Sequence, residues 1–399
     1  MSKNNINKKI CMIAIAPYPG DPRIRREAEA LEKDGYEIDI ICRYSQSSNQ
    51  IPKQKYGKIT AYRIMKAPSQ ESMIKYSVQS ILFIAAAFLR LNLMYFKKRY
   101  SIVQVHNLPD YLIFTGAFLK LFGVKLILDI HDPSVDLFEE KWPGKSKGIF
   151  KSLIKISERY SCKLSDHLIT VTSICKEKLV ERGNSPEKIS LVLNTANENI
   201  FKFNENRNYL KITERAKILY YGTIADRQGL HNAVEAMAYF LKVIPNSTLN
   251  IFGKYELSYK NKLEKLIKEL NLGNNVILNG VINRDQILSI INQHDIGIVP
   301  HPCTEYTNLS LPTKAFEYIT SGLPTVSTKL TSLSRILNDD CITYVEDGNP
   351  EAFSEAIKNL CLKPELRKSK TFKAYDAIKE ISGQVMNRRY VDLIEQMIK

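Results

Sequence analysis

The segment from Asn308 to Val326 contains residue types that could bind a phosphorylated nucleoside. It predicts a loop, a helix, a glycine stop and a buried strand, with Ser310 capping the helix and Pro312 in its first turn. Free N–H groups at a helix start bind anions. Lys314 would add a mobile positive charge, and Glu317, further into the helix, could accept hydrogen bonds from two vicinal ribose hydroxyls. The alternative is an ordinary capped helix with a solvated Glu317.

A second candidate anion site lies between Tyr221 and Leu230. A predicted strand ends at Gly222, a tight turn follows, and a helix starts near Gly229. Gly222 lets a phosphate approach the backbone closely because it has no Cβ. The guanidinium of Arg227 could hold a diphosphate through two N–H donors. Glycine after a strand is common, so this pattern alone does not define a site.

Two histidines stand where predicted strands end. His131 follows the apolar run 126–130, and His106 follows 102–105. Ligands of open α/β sheets bind at the carboxyl ends of the strands, so both positions suit a binding site. The alternative is a buried core histidine whose hydrogen bonds are satisfied within the protein.

A loop and an Arg-rich helix start follow the first predicted strand. Gly20 could face a ligand there, and Arg23 is a candidate for the acceptor side of a site. In the alternative interpretation Arg23, Arg25 and Arg26 form a solvated helix face.

Strands and helices alternate along the whole chain. The first series of predicted strands is 10–16, 37–42, 59–64, 102–105, 125–130, 167–171 and 190–193, and the second is 217–222, 248–253, 275–279, 296–300, 324–327 and 342–345. Near-continuous apolar strands are typical of parallel sheets buried on both faces. A polar stretch at 203–216 separates the series, so we expect an α/β protein of two Rossmann-like, doubly wound domains facing a cleft. The expected bounds are 1–203 and 204–375, with a helix over 376–399 packing back on the first domain.

The composition limits the classes of partner. The chain has 399 residues, 44% hydrophobic and 25% charged, which excludes disordered, collagenous and disulfide-scaffold proteins. The net charge of +15 predicts an anionic partner: nucleic acid, an anionic membrane or a phosphorylated ligand. Dispersed lysines, without zinc-finger or RNA-recognition motifs, argue against nucleic acid. Seven cysteines without C-x-x-C spacing, and an apolar run at 10–16 too short for a secretory signal, predict a cytoplasmic protein.

One apolar stretch raises the question of a membrane. The uncharged run 76–89, which includes Ile81–Leu89, is shorter than the about twenty apolar residues of a spanning helix. It could be a buried core helix. Because the basic residues 97–99 follow it, it could instead lie in the interface of an anionic membrane.

Taken together, these segments resemble glycosyltransferase family 4, retaining sugar-nucleotide transferases of the GT-B fold. The matching stretches are D-P-R-I-R-R-E-A-E-A-L (21–31), G-Y-E-I-D-I (35–40), L-I-L-D-I-H-D (126–132), D-H-L-I-T-V-T (166–172), Y-Y-G-T-I-A-D-R-Q-G-L (220–230), N-V-I-L-N-G-V (275–281), D-I-G-I-V-P (295–300) and P-T-K-A-F-E-Y-I-T-S-G-L-P-T-V (312–326). Their order and spacing together make the resemblance specific.

The resemblance implies roles for individual residues. His131 would face the donor sugar, Gly280 and Val281 would lie near the base, and Glu317 would bind the ribose. The diphosphate would be held by Ser310, Leu311, Pro312, Thr313 and Lys314. With Arg227 supplying further positive charge, the catalytic candidates are His131, Arg227 and Glu317.

Two family positions differ in this sequence. The first acid of the family's E-x7-E motif falls on Leu309, and the usual arginine after the strand-ending glycine falls on Thr223, with Arg227 the nearest substitute. These differences bear on the identity of the donor sugar.

The implied function is transfer of a sugar from a nucleoside diphosphate to a glycan or lipid-linked acceptor, in cell-surface polysaccharide synthesis, without a metal or cofactor. Peripheral contact with the inner face of the cell membrane is expected. Two alternatives remain: a sugar-nucleotide 2-epimerase on the same fold, and a non-catalytic partner subunit of an active transferase.

Overall fold

The computed structural model describes residues 8–45, 50–66, 73–141 and 148–399, with side chains of helix 73–98 described from Val78 onward. The chain forms two compact units. Unit 1 contains Met1–Leu193 and Met386–Lys399, and unit 2 contains Asn194–Val385.

The chain leaves unit 1 after Leu193 and returns to it after Val385. Each of these points lies ten residues from the expected boundary, at 203/204 and 375/376 respectively. The reason is that both connecting segments pack within unit 2. The ring of Phe203 lies 4.1 Å from that of Tyr375, and the Gly383 N–H donates to the Glu198 carboxylate at 2.5 Å. The return to unit 1 therefore begins at Met386.

Unit 1 is built on an eight-stranded sheet in the order β3-β4-β2-β1-β5-β6-β7-β8. Its strands are β1 (Lys9–Pro17), β2 (Glu37–Tyr44), β3 (Lys53–Tyr56), β4 (Ile59–Lys66), β5 (Ile102–His106), β6 (Lys125–Ile130), β7 (His167–Thr170) and β8 (Ile189–Leu191). Only β3 is antiparallel to its neighbour. The sheet is thus doubly wound, with the strand order reversing at β1.

The helices of unit 1 that precede unit 2 are α1 (Pro22–Lys33), α2 (Met73–Lys98), α3 (Ser134–Lys141), α4 (Ile149–Leu164) and α5 (Ser173–Glu181), and 3₁₀ turns span Asp110–Phe122 and Pro186–Lys188. Helix α1 begins where its sequence predicts. The Asp21 side chain accepts the Arg23 backbone N–H, Pro22 occupies the first turn, and Ile24 and Leu31 are buried on one face.

Unit 2 contains a six-stranded parallel sheet in the order β11-β10-β9-β12-β13-β14, the order of a dinucleotide-binding fold. Its strands are β9 (Lys217–Tyr221), β10 (Thr248–Phe252), β11 (Val276–Leu278), β12 (Ile296–Val299), β13 (Thr325–Thr328) and β14 (Thr343–Val345). Its helices are α6 (Leu230–Phe240), α7 (Leu257–Glu269), α8 (Ile287–Asn292), α9 (Glu305–Leu309), α10 (Thr313–Thr320), α11 (Thr331–Ser334), α12 (Pro350–Leu362) and α13 (Pro364–Ile378), with 3₁₀ turns at Asp226–Gln228, Arg284–Gln286 and Lys379–Ile381.

The last helix, α14 (Gly383–Ile398), lies mostly in unit 1. Its residues Met386, Tyr390 and Ile394 recur with helical spacing and are fully buried. The backbone N–H of Leu193 donates to the sulfur of Met386, which joins this helix to the end of the β8 segment. This packing accounts for the return of the chain to its first unit.

Helix α2 packs on unit 1 with one face and exposes the other. Phe83, Ala87 and Leu91 are fully buried, whereas Ile81 and Leu89 are each about 60% exposed. The window Val78–Lys98 is long and apolar enough to cross a membrane, but one third of it is buried inside the protein. The buried face agrees with the interpretation of a core helix, and the exposed apolar face leaves the interpretation of a membrane-interface helix as a prediction.

Candidate active site

A cluster of polar side chains in unit 2 surrounds Lys314 on α10. Its Nζ donates to the Tyr220 hydroxyl and to Gln228 Oε1, both at 3.0 Å, and lies 3.3 Å from His301 Nε2. The ammonium also lies 4.2 Å from the centre of the Tyr220 ring, a cation–π contact. Burial lowers the pKa of Lys314 to about 7. The positive charge of Arg227 adds to this shift, and the negative charge of Glu317 opposes it.

Two expectations about this helix are wrong. Lys314 is not a mobile charge, because its side chain is buried and fixed by three polar neighbours. Ser310 does not cap α10: its hydroxyl donates to the Tyr306 carbonyl and it ends the short helix α9. The N-cap position of α10 is Pro312, which offers no side-chain hydrogen bond. Helix α9, absent from the sequence interpretation, accounts for the role of Ser310.

The Glu317 carboxylate is half-buried and accepts a short hydrogen bond from the Tyr221 hydroxyl. The interpretation of Glu317 as a solvated surface acid is therefore wrong. Burial raises the pKa of Glu317, while the hydrogen bond from Tyr221 and the charge of Lys314 oppose that rise. Because Tyr221 is the last residue of β9, its hydrogen bond to Glu317 joins α10 to the end of the first strand of unit 2.

Three loops meet at the carboxyl edge of this sheet. Gly222 has a φ of +139°, and a Cβ there would lie 3.3 Å from Lys314 Nζ. Gly253 follows β10, and a Cβ on it would overlap the Gly222 carbonyl at 1.7 Å. The Gly253 N–H in turn donates to the Gly280 carbonyl at 3.1 Å. Lys314 is thus adjacent to a close backbone crossing that requires glycine.

The other predicted residues of unit 2 occupy varied positions. Arg227 is partly exposed and lies 3.7 Å from Glu256, and its charge acts on both Lys314 and His301. Val281 is 74% exposed. Leu309 is buried in the core, where the family pattern has an acid. Of the remaining residues of the α10 start, Leu311 and Pro312 are buried and Thr313 is exposed.

The two strand-end histidines of unit 1 meet at one buried carboxylate. His106 Nδ1 lies 3.0 Å and His131 Nε2 lies 3.1 Å from Asp129 Oδ2, and the two ring nitrogens are 3.2 Å apart. The rings stack in parallel with centroids 5.5 Å apart. His106 is the last residue of β5 and His131 directly follows β6, and His106 pairs with Asp129 in the register of these neighbouring strands. Asn107 joins the two loops by accepting the His131 backbone N–H.

The protonation of this cluster is uneven. Burial lowers the pKa of His106, but hydrogen bonding and charge at Asp129 outweigh this and raise it. The pKa of His131 is lowered, first by burial, with the positive charge of Arg23 adding to it. His106 therefore binds a proton at higher pH than His131. His106 Nε2 and His131 Nδ1 are buried without a partner among the described residues, which leaves both free for a ligand.

The same three side chains could also hold a metal ion by donor type, because their ligand atoms lie within 4.8 Å of one another. The sequence expectation that no metal is needed stays a prediction.

Gly20 and Arg23 lie at the β1–α1 loop. Gly20 is exposed, and Arg23 contacts Asp21 at 2.8 Å and Asp132 at 3.5 Å. Burial alone would raise the pKa of Asp21, but the hydrogen bonds from Arg23 hold it below its usual range. The solvated-face interpretation of the basic residues is wrong, since Arg23 is 32% exposed and Arg26 is 12% exposed and donates to the Leu193 carbonyl.

Sequence reasoning did not identify several residues of these clusters: Tyr220, Tyr221, Gln228, His301 and Asp129. Four of them lie within two residues of the end of a strand, and Gln228 lies in the 3₁₀ turn before α6, but their pairing depends on side-chain packing.

The two sheets, each reversing strand order at its first strand, define an α/β protein of two Rossmann-like units, the composition of the GT-B fold. Two family models match nearly the whole chain: Glycosyltransferase Family 4 over residues 23–199 and Glycosyl transferases group 1 over residues 202–376. The chain belongs to this family of glycosyltransferases.

Among curated proteins the chain is similar to TuaH of Bacillus subtilis, a glycosyltransferase named for teichuronic acid biosynthesis. The two are 31% identical over 86 residues, and the match covers 22% of each chain.

Solved structures show the fold over the full length. A sucrose-phosphate synthase from Thermosynechococcus elongatus matches with a TM-score of 0.78 and 17% identity, covering 98% of this chain and 99% of that one. Alr3699/HepE from Anabaena, solved in complex with UDP, matches with a TM-score of 0.69 and 14% identity, covering 97% and 100%.

Proposed function

We propose that the protein transfers a sugar from a nucleoside-diphosphate donor to a hydroxyl of a glycan or lipid-linked acceptor, with retention of anomeric configuration. The bond from the anomeric carbon to the diphosphate breaks, a bond to the acceptor oxygen forms, and the acceptor's proton leaves with the diphosphate. The proposal rests on one observation above all: the buried Lys314 ammonium beside the Gly222 backbone crossing.

The departing diphosphate needs positive charge and N–H donors near its oxygens. Lys314 and Arg227 supply the charge, and the start of α10 at Thr313 supplies backbone N–H groups. Because Lys314 is already fixed by Tyr220 and Gln228, little side-chain entropy is lost when the diphosphate binds. We therefore expect that the diphosphate can leave without the help of a metal ion, so that turnover persists in excess EDTA.

The nucleoside would be held by residues around β9 and β11. We assign the ribose hydroxyls to Glu317, whose carboxylate is oriented by Tyr221. We assign the base to the loop of Gly280 and Val281, where the exposed Val281 side chain offers apolar contact area. The first donors to test are uridine nucleotide sugars, because HepE was solved with UDP and with UDP-glucose.

In unit 1 we assign the sugar to His131, whose Nδ1 is buried without a protein partner among the described residues. His106 and Arg23 would serve the acceptor end, and the exposed Gly20 would lie on the donor side. We propose a cell-surface polysaccharide as the acceptor, a choice supported by the similarity over 86 residues to TuaH, whose name refers to teichuronic acid biosynthesis.

The decisive experiment incubates the protein with a panel of nucleotide sugars and acceptors and identifies products by mass spectrometry, with NMR of the new anomeric centre. We expect transfer with retention, and we expect Glu317→Ala and His131→Ala to lower turnover at least about a hundredfold. Glu305→Ala, an exposed acid of the neighbouring helix α9, is the matched control. Interconversion of donors without acceptor would favour the 2-epimerase, and absence of any turnover would favour the partner subunit.

We also propose that unit 1 binds an anionic membrane surface peripherally, on the cytoplasmic side. Its exposed apolar side chains cluster on three neighbouring segments: Ile81, Leu89, Leu93 and Phe96 on α2, Phe114, Phe118, Leu121 and Phe122 on the 3₁₀ segment 110–122, and Ile149, Leu153, Ile156 and Tyr160 on α4. Phe122 joins the first two segments through ring contacts with Phe96 and Tyr95 of α2. Lys120 joins the second to α4 by donating to the Leu164 carbonyl.

Charge favours an anionic bilayer as the occupant of this surface. The acids among the described residues of the three segments are Asp110 and Glu158, and both are buried. Exposed cations flank the apolar residues: Arg90 and Lys97 on α2, and Lys155, Arg159 and Lys163 on α4. Apolar area bounded by basic residues is the pattern of helices that lie in a membrane interface.

A vesicle sedimentation assay tests the membrane proposal. We expect binding to phosphatidylglycerol-containing vesicles at low salt, weaker binding to neutral phosphatidylcholine vesicles, and loss of binding in the double variant Leu153→Ser/Ile156→Ser. A control double variant in unit 2, Leu257→Ser/Leu366→Ser, also removes exposed apolar side chains and should bind normally. Equal binding to neutral vesicles, or a stable dimer by light scattering with no vesicle binding, would contradict the proposal.

A further inference from the structure

A chain of buried side chains connects α14 to the histidine cluster of unit 1. The Tyr390 hydroxyl donates to Gln104 Oε1, and Gln104 Nε2 donates to Glu27 Oε2 at 2.6 Å and to Asp129 Oδ2 at 3.4 Å. All four side chains are at most 1% exposed. The chain thus runs from a helix made after unit 2 to the carboxylate that both imidazoles contact.

Strand geometry explains why Gln104 can act on the histidines. Gln104 and His106 are two residues apart on β5, so their side chains lie on the same face of the sheet. Asp129 pairs with His106 in the adjacent strand β6. A small rotation of the Gln104 amide therefore weakens or breaks the hydrogen bond that Asp129 Oδ2 accepts from it. The Asp129 carboxylate then shifts its position between the two histidine rings.

The pKa values of the two carboxyl groups beside Gln104 are shifted in opposite directions. Burial raises the pKa of Glu27 to about 8, and the negative charge of Asp129 adds to this. Burial opposes ionisation of Asp129 as well, but the two histidines lower its pKa below the usual range. Whatever the charge on each acid, Gln104 turns its N–H groups towards both of them while its carbonyl oxygen accepts from Tyr390.

We propose that Tyr390 and Gln104 are positioning residues for His131. They fix the Asp129 carboxylate in the orientation that sets the tautomer and direction of the imidazole. The inference rests on the proposed function, in which His131 contacts the donor sugar. Without the Tyr390 hydroxyl, the buried Gln104 Oε1 loses its donor, and an unsatisfied buried acceptor drives the amide to rotate. Asp129 Oδ2 then loses a hydrogen bond, and the histidines reorient.

The test is Tyr390→Phe, which removes a single oxygen atom. We expect kcat to fall about tenfold, the KM for the donor to change less than about twofold, and the pH profile of kcat to shift. Gln104→Met keeps the side-chain volume while removing the contacts to both acids, and it should show the same changes more strongly. Tyr36→Phe, another buried tyrosine of unit 1 outside this chain, is the matched control.

A second readout does not depend on activity. The protein has six histidines, and ¹⁵N-histidine NMR reports the tautomer of each ring. We expect Tyr390→Phe to shift the ring nitrogens of His106 and His131 and to leave those of the other four in place. Folded variants that keep both the wild-type kcat and the wild-type His131 resonances would overturn the proposal. If the wild type transfers no sugar, the proposed function fails, and the NMR shifts alone decide whether Tyr390 positions His131.

Discussion

Donor binding is expected to take up a proton, because the residue placed at the diphosphate is a lysine with a lowered pKa. The pKa of Lys314 is about 7 in the free protein, mainly through burial. At neutral pH about half of the molecules carry a neutral amine. A bound diphosphate brings negative charge to this amine and raises its pKa, so binding favours the ammonium form.

The magnitude follows from linkage. If the bound pKa returns to about 9.5, the affinity for a nucleotide sugar falls roughly thirtyfold between about pH 6 and about pH 8.5, since the free protein must first be protonated. Because binding raises the pKa of Lys314, the affinity is higher at low pH. At pH 7 about half a proton is taken up per ligand bound. A UDP-sugar is the ligand of choice, because its diphosphate, unlike that of free UDP, does not titrate in this range.

Isothermal titration calorimetry in buffers of different ionisation enthalpy measures both quantities. Lys314→Met should bind the UDP-sugar more weakly and show neither proton uptake nor this pH dependence. His301→Gln is the matched control, because His301 also lies in the cluster and also has a lowered pKa. If the wild-type affinity is constant over this pH range, or if Lys314→Met keeps the pH dependence, Lys314 does not contact the diphosphate and the reasoning fails.

Further predictions concern the ribose and the backbone. Glu317→Gln should lower the affinity for a UDP-sugar about tenfold and have little effect on the affinity for its 2′-deoxy analogue. If calorimetry shows equal losses of affinity for both ligands, Glu317 does not contact the ribose. Gly229→Ala should lower the free energy of unfolding by more than about 2 kcal/mol, because φ is +65° and the new Cβ would lie 1.9 Å from the Pro300 carbonyl oxygen. In the same urea titration Gly280→Ala should cost less than about 0.5 kcal/mol, since its Cβ meets nothing within 4 Å; similar losses for both would contradict the steric argument.

The sheets were predictable because their parallel strands are covered on both faces. Strands such as β1 and β6 are therefore apolar runs, and their predicted bounds differ from the observed ones by a residue or less. Strand β3 was missed because Lys53–Tyr56 is a polar, antiparallel edge strand without such a run. The carboxyl ends of the predicted strands placed His106 and His131 at one sheet edge, which the structure bears out.

The side-chain partners were not predictable. Sequence spacing identified Lys314 and Glu317, but it could not show that Tyr220 and Tyr221, on opposite faces of one strand end, would separately hold them. The Tyr390–Gln104 hydrogen bond joins residues 286 positions apart, and no local pattern records it. Local periodicity determines elements, whereas contacts at such separations arise only from the packed tertiary structure.

The division of unit 1 into two stretches of chain has a consequence during synthesis. Ribosomes complete Asn194–Val385 before the residues of α14 exist, so unit 2 can fold while unit 1 still lacks Tyr390 and Met386. A chain without α14 would therefore present the diphosphate site that we propose at Lys314, without a finished histidine cluster. If the proposed sites are right, such a product would bind a nucleotide sugar without transferring the sugar, because the histidine cluster is complete only when α14 has packed.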